Sequence, residues 1–312
     1  MSRGLSPRAH PIAIAVVAVA VAASGSWPVA DARDRPARQD PGGGEALPDR
    51  DAFLAEVRKH LQTDQSLQSS YAYIETRREQ KLDRHGRATG ESVKVFENSP
   101  GLPGERRWER LIEEDGTPVP AHVIARQDRE RQRKAQETAR RMTREPRKEH
   151  ARQVRAWEEH RRETSEAVDD VFRVFEMRMV GRETIGGHDT IAFDLTPRPD
   201  AKPRTRDGGM MRRFGVQAWV SEQDHELVRL EAESTGTVSI GFGLLARIHQ
   251  GARFSFERRK VNGEVWLPST YSYSGSARIG LLKTVRRGGS SAFTNYRKFT
   301  VDTSSTEATL LP

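Results

Sequence analysis

Phe214-Gly215-Val216-Gln217-Ala218-Trp219-Val220-Ser221, followed after a short turn by Leu227-Val228-Arg229-Leu230-Glu231-Ala232-Glu233, decides the fold. Phe214, Val216, Ala218 and Val220 fall on one side of an extended chain. Val228, Leu230 and Ala232 alternate with Arg229, Glu231 and Glu233. A period of two means a strand with one buried and one wet face, and that alternation belongs to antiparallel sheets. The polar turn at Glu222 to His225 makes the two segments a pair of neighbouring strands.

The same pattern extends in both directions. Upstream, Phe175, Met177 and Met179 oppose Glu176 and Arg178, Gly186-Gly187 turns the chain, and Ile191, Phe193 and Leu195 alternate with Thr190, Ala192 and Asp194. A Pro-, Arg- and Gly-rich loop is expected over 197–209. Downstream come Phe254 and Phe256, an Asn262-Gly263 turn, Trp266-Leu267-Pro268, and Tyr271 with Tyr273. Leu281-Leu282, a Gly288-Gly289 loop and a closing strand from Tyr296 to Val301 follow. Near the start, Tyr71 and Tyr73 share a face, Asp83-Arg84-His85-Gly86 turns, and Val93 and Val95 return. A third strand over 106–112 is closed by Glu114-Asp115-Gly116. About ten strands are expected by these criteria.

Two segments break the period. Asp49 is a helix N-cap for Phe53, Leu54, Val57 and Leu61, which recur at three- and four-residue steps and end before Ser69. Residues 120–170 carry only thin apolar stripes, Ala135, Ala139 and Met142, then Ala151, Val154 and Trp157, with Pro146 between them. They read as an exposed, charged helical insertion cornered at Pro146. A sheet of this size must curl. The expected architecture is therefore α+β: a strongly curved antiparallel sheet, an incomplete β-barrel, whose concave face is covered by the N-terminal helix and the insertion.

The N-terminus sets the compartment. Arg3 and Arg8 precede the apolar run from Ile12 to Ala23, and Ala30-Asp31-Ala32 offers small residues for cleavage. That is the layout of a secretory signal peptide over 1–32, too short in its apolar part to span a bilayer, which needs roughly 20 residues. Cleavage after Ala32 leaves a periplasmic or otherwise extracytoplasmic chain. Residues 33–49, rich in Pro and Gly, form a flexible linker to a domain at 50–304.

Of the 312 residues, 31% are charged, 35% are apolar and none is Cys. Missing thiols exclude a disulfide scaffold, a thiolate metal site and a Cys nucleophile. The formal charge of +8 includes one positive unit from 1–32, two Arg against one Asp, which leaves +7. Fourteen basic and eleven acidic groups share residues 121–170. Charge so mixed chiefly solvates a surface, and no nucleic-acid partner is expected, whereas peripheral contact with anionic lipid is compatible with it.

Three segments resemble the periplasmic lipoprotein-carrier (LolA-like) superfamily. They are Val216 to Ser221 leading into Leu227 to Glu231, the strand opened by Gly263-Glu264-Val265-Trp266-Leu267-Pro268, and Tyr296-Arg297-Lys298-Phe299-Thr300-Val301. The layout is also similar to that of a family of secreted bacterial proteins of unassigned function. The resemblance implies a half-barrel whose helical lid encloses an apolar cavity for acyl chains, or a sensor that binds a signalling protein. Its expected ligands are a lipid, an acyl chain or a lipoprotein, and an envelope protein is the alternative partner, met by the charged helices.

Candidate cavity residues are the same-face aromatics Tyr71, Tyr73, Phe175, Phe193, Phe254, Phe256, Tyr271 and Tyr273. No cofactor is expected. Metal ligation is not expected either: Glu149-His150 and Glu159-His160 share a helix face but sit roughly 15 Å apart. Gly241-Phe242-Gly243-Leu244-Leu245-Ala246 lacks the βαβ setting of a dinucleotide fingerprint and reads as a bend. Asp169-Asp170 and Glu113-Glu114-Asp115 read as caps and turns. No nucleophile elbow or phosphate loop is present, so a non-catalytic binding protein is expected.

Overall fold

The computed structural model describes residues 46–63, 70–100, 107–240, 246–280, 283–301 and 308–310. The signal peptide expected at 1–32, the expected linker up to residue 45, Gly241 to Leu245 and Leu281-Leu282 lie outside the described residues, as do the side chains of Glu149, Trp157 and His160.

Antiparallel strands and a few helices make up the chain, which is the expected α+β class, and they divide between two compact units. The first unit takes Glu79–Glu91, Thr164–Ser290 and helix α1 (Arg50–Thr63). Asp49 caps α1 as expected, accepting a 2.8 Å hydrogen bond from the Ala52 amide. The unit's strands are β5 (Phe175–Ile185), β6 (His188–Pro197), β7 (Phe214–Ser221), β8 (Leu227–Ser234), β9 (Val238–Ile240), β10 (Ala246–Ile248), β11 (Arg253–Val261) and β12 (Val265–Ile279). They pair in the order β12-β11-β8-β7-β6-β5, with β10 between β9 and β12. Among the described residues β5 pairs with β6 alone, so the sheet has a free edge and is not a closed barrel.

The register sorts side chains into rows that run across the strands. Met177, Leu195, Val216, Ala232, Phe254 and Tyr273 are successive partners. So are Met179, Phe193, Ala218, Leu230, Phe256 and Tyr271. Both rows belong to one apolar core, onto which α1 adds Phe53 and Val57. The last turns of helix α3 (Pro146–Val174) add Val174 to it. Burying a Phe or Leu side chain contributes about 1.5–3 kcal/mol, so this core is what holds the unit together. Between those rows runs a polar one on the other face: Arg178, Asp194, Gln217, Glu231, Ser255 and Ser272. Near the hairpin ends of the strands the non-core face gains a small cluster of Ile185, Ala192, Trp219, Val228 and Trp266. A bulge at Val180, the residue skipped between Met179–Phe193 and Gly181–Ala192, lets that side chain join the cluster.

The second unit takes Gln65–Arg78, Ser92–Glu163 and Ser291–Pro312. It holds β3 (Trp108–Glu114), β4 (Thr117–Pro118) and β14 (Ala308–Leu310), together with one end each of the long strands β1 (Tyr71–Leu82), β2 (Ala88–Ser99) and β13 (Lys283–Val301). Helix α2 (Ala121–Arg144) lies on β3. There the Gln127 side chain accepts from the Leu111 amide at 3.1 Å and donates to its carbonyl at 3.2 Å, in the manner of an added strand. Arg110 is held between Glu97 on β2 and Asp128 on α2. The helix stops at Glu145 and α3 starts with Pro146, so the expected corner is where proline's fixed φ suits a first helical position.

Among the described residues there are fourteen strand segments where about ten were expected, the additions being short ones such as β4, β9, β10 and β14. Two expectations are corrected. The loop over 197–209 contains a short helix, α4 (Arg206–Met211), whose N-cap Thr205 accepts from the Gly208 amide at 2.9 Å. Gly288-Gly289 is not a loop but the interior of β13. A Cβ on Gly289 would run into the Tyr273 ring, so the missing side chain serves close packing and not a turn.

Candidate functional site

Six of the eight aromatic candidates lie in the first unit and two in the second. In the first, Phe175, Phe193 and Phe254 are buried, 2–3% exposed. Phe53 of α1 stacks on Phe193 with ring centroids 5.9 Å apart, and contacts His225 at 4.9 Å. His60, two turns further along α1, meets the carboxylate of Glu226 at 3.2 Å. The described ring and ion contacts of α1 with the sheet therefore fall on β6 and the β7–β8 turn. Away from them, on β11 and β12, Phe256, Tyr271 and Tyr273 are only half-buried. These two tyrosines lie 5.5 Å apart, and Tyr271 meets the buried Phe254 edge-on at 5.4 Å. The result is an aromatic band with one side in the core and the other toward solvent.

Tyr71 and Tyr73 belong to a separate cluster in the second unit. Tyr71 is buried against Tyr296, and Tyr73 contacts both Phe293, at 5.6 Å, and Tyr296, at 5.3 Å. The Arg107 guanidinium covers the Tyr73 ring at 4.7 Å and donates to the Tyr71 carbonyl. Burial pushes the Tyr73 phenol above its ordinary range despite that cation, so the ring stays neutral at physiological pH. Glu75 on the same strand is buried too, accepting from Ser291 at 2.7 Å and from Arg77 at 2.9 Å.

A hollow of about 720 Å³ lies on the polar face of the first unit's sheet. Arg178, Asp194, Gln217, Glu231, Arg253 and three serines, Ser255, Ser272 and Ser274, contribute to its lining. Much of its charge is neutralised locally: Arg178 pairs with Asp194 at 2.5 Å and Arg253 with Glu233 at 3.0 Å. Strand alternation places the Phe254 and Tyr273 rings on the opposite side, in the apolar core.

Spacing gave no sign of two buried polar centres, and the second corrects the reading of Asp169-Asp170 as caps and turns, since both residues lie inside α3. Arg258, itself buried, donates to Glu226 at 2.8 Å and to the carbonyls of Leu227 and Trp266, so neither ion is left bare. Asp170 is fully buried and accepts from the amides of Arg204 and Thr205, the Thr205 hydroxyl and Arg173. Its partners on the loop lie 34 and 35 residues away, which no local pattern can reveal. The expected turn role holds for Asp115, at φ 50°, whose carboxylate accepts from the Val93 amide at 2.6 Å.

Among the described residues no three His, Asp or Glu side chains converge as metal ligands, and no helix is long and apolar enough to cross a membrane.

No family model and no curated protein matches the sequence. Solved structures do. An outer membrane lipoprotein-sorting protein domain from Vibrio parahaemolyticus is similar at 9% identity over 78% of this chain and 90% of its own, with a TM-score of 0.28. A LolA superfamily protein from Nitrosomonas europaea is similar at 9% over 81% and 95%, TM-score 0.23. The complex of Pseudomonas aeruginosa MucA and MucB is matched at 8% over 78% and 93%, TM-score 0.23. The chain is thus similar to LolA-superfamily structures, and the likeness is one of fold.

Proposed function

We propose that this protein is an extracytoplasmic, non-catalytic binding protein that takes a lipid, an acyl chain or the acyl group of a lipoprotein. The observation that carries the reading is the aromatic band of Phe256, Tyr271 and Tyr273, continuous with the core yet half-open to solvent. Such a surface gains by covering itself with an apolar chain, at about 25 cal/mol for each Å² removed from water. The leader-like N-terminus supports an extracytoplasmic location, where such chains are met. Phe254 lies edge-on beneath Tyr271, Phe175 and Phe193 belong to the same core, and Tyr71 with Tyr73 supports the second unit.

Native mass spectrometry of protein processed from the full-length chain and purified without detergent tests the proposal. Co-purified lipid is expected, and Phe256→Arg should strip it while circular dichroism stays unchanged. Wild-type protein that is consistently empty, and that gains no mass when incubated with fatty acid or phospholipid, would overturn it.

A further inference from the structure

The two helices of the second unit hold a feature that the binding of an acyl chain does not use. The first half of α2 is tied to β3 through Gln127 and Asp128, and Arg131 and Lys134 lie over the Trp108 ring at 5.8 Å. Beyond Thr138 the attachment ends, and every residue from 139 to 148 is exposed. Residues 139–155 hold seven basic groups, Arg140, Arg141, Arg144, Arg147, Lys148, Arg152 and Arg155, against Glu145 and Glu149, a net +5. Arg140, Arg144, Arg147 and Arg155 pair with no acid among the described residues, so their field is not cancelled locally. Two exposed apolar side chains, Met142 at 38% and Val154 at 39%, stand among them.

We infer that this helical corner docks the protein on an anionic phospholipid surface. Charge complementarity argues for a bilayer. A lipid surface offers a diffuse sheet of negative charge, which attracts every Lys or Arg brought near it. Two exposed apolar side chains can enter the headgroup layer of such a surface. The centre of a protein interface calls for more apolar area than two side chains supply. The inference stands apart from the acyl-chain reading: a docked protein need hold no lipid, and a lipid-filled one need not dock.

Co-sedimentation with vesicles tests it, using protein processed from the full-length chain. Vesicles of phosphatidylcholine containing phosphatidylglycerol should bind the wild type, and pure phosphatidylcholine should not. Binding should fall steeply as salt is raised, because the screening length is about 8 Å at physiological ionic strength and shrinks from there. Replacing Arg140, Arg144, Arg147 and Arg155 together by Gln should weaken binding at least tenfold, with an unchanged thermal transition, since these side chains are exposed. Equal binding to neutral vesicles, salt-insensitive binding, or undiminished binding of the quadruple variant would overturn the inference. So would a variant that keeps vesicle binding but loses capture of an envelope protein, for the corner would then be a protein interface. Co-purified lipid, measured on the same samples, reads the acyl-chain proposal separately.

Discussion

At the scale of single residues, glycine shows best what a sequence can and cannot tell. Gly116, Gly187 and Gly263 were legible as turns because Asp, Gly or Asn stands beside each, and Gly86 because Asp83 opens the polar run that it closes; all four have positive φ. Gly289 sits in an equally turn-like Gly288-Gly289 pair, yet it lies in a strand. The difference is a ring sixteen positions earlier, Tyr273, packed where a Cβ would go, and no local window holds that information. Gly289→Ala should therefore destabilise the protein by about 1–3 kcal/mol through overpacking. Gly181, whose added Cβ would meet nothing within 4 Å, is the control and should change stability by no more than about 0.5 kcal/mol on replacement by Ala. Urea unfolding of the two variants separates them, and equal midpoints would show that the Tyr273 ring moves aside without cost.

At the scale of elements, strands with a clean period of two and helices with a cap were readable. β7 and β8 fall where their alternation puts them, and α1 starts at its Asp49 cap. The short strands were not readable, because two or three residues carry no period: β4 and β10 exist through their partners β3 and β12. How α2 attaches was equally hidden, since it depends on one amide, Gln127, meeting both backbone groups of Leu111. Gln127→Leu keeps the bulk and removes both hydrogen bonds. A net hydrogen bond is worth about 0.5–1.5 kcal/mol, so the local opening free energy should drop by about 1–3 kcal/mol. Hydrogen exchange at the Leu111 amide should then quicken by at least about fivefold, with amides of β7 unaffected. Unchanged protection at Leu111 would mean that α2 is held by Arg110, Asp128 and the Trp108 stack instead.

At the scale of the whole molecule, composition gives the net charge but not which charges the fold depends on. Lowering the pH protonates many carboxylates on a chain that is already basic, so general repulsion grows for any variant. One component is specific to Asp170. Burial by itself would raise its pKa, but hydrogen bonds from Arg204, Thr205 and Arg173 outweigh that and hold the carboxyl below its ordinary range. A carboxylate depressed in the folded state stabilises folding in full above its unfolded value, about 3.9, and that contribution fades as pH falls through the lower folded value. Asp224, bound by Lys260 and the Trp266 indole, is lowered in the same way despite its own desolvation and adds to the same limb. Asp170→Asn fills the site without the charge, so near neutral pH it should be less stable by about 1.5–3 kcal/mol. Between pH 5 and the acid limit the wild type should lose stability faster than the variant, and the gap between them should narrow. Because general repulsion is common to both proteins, that difference isolates Asp170 in urea titrations repeated across the acid range. A gap that stays constant to the lowest pH at which both still fold would mean that Asp170 binds its proton equally well folded and unfolded.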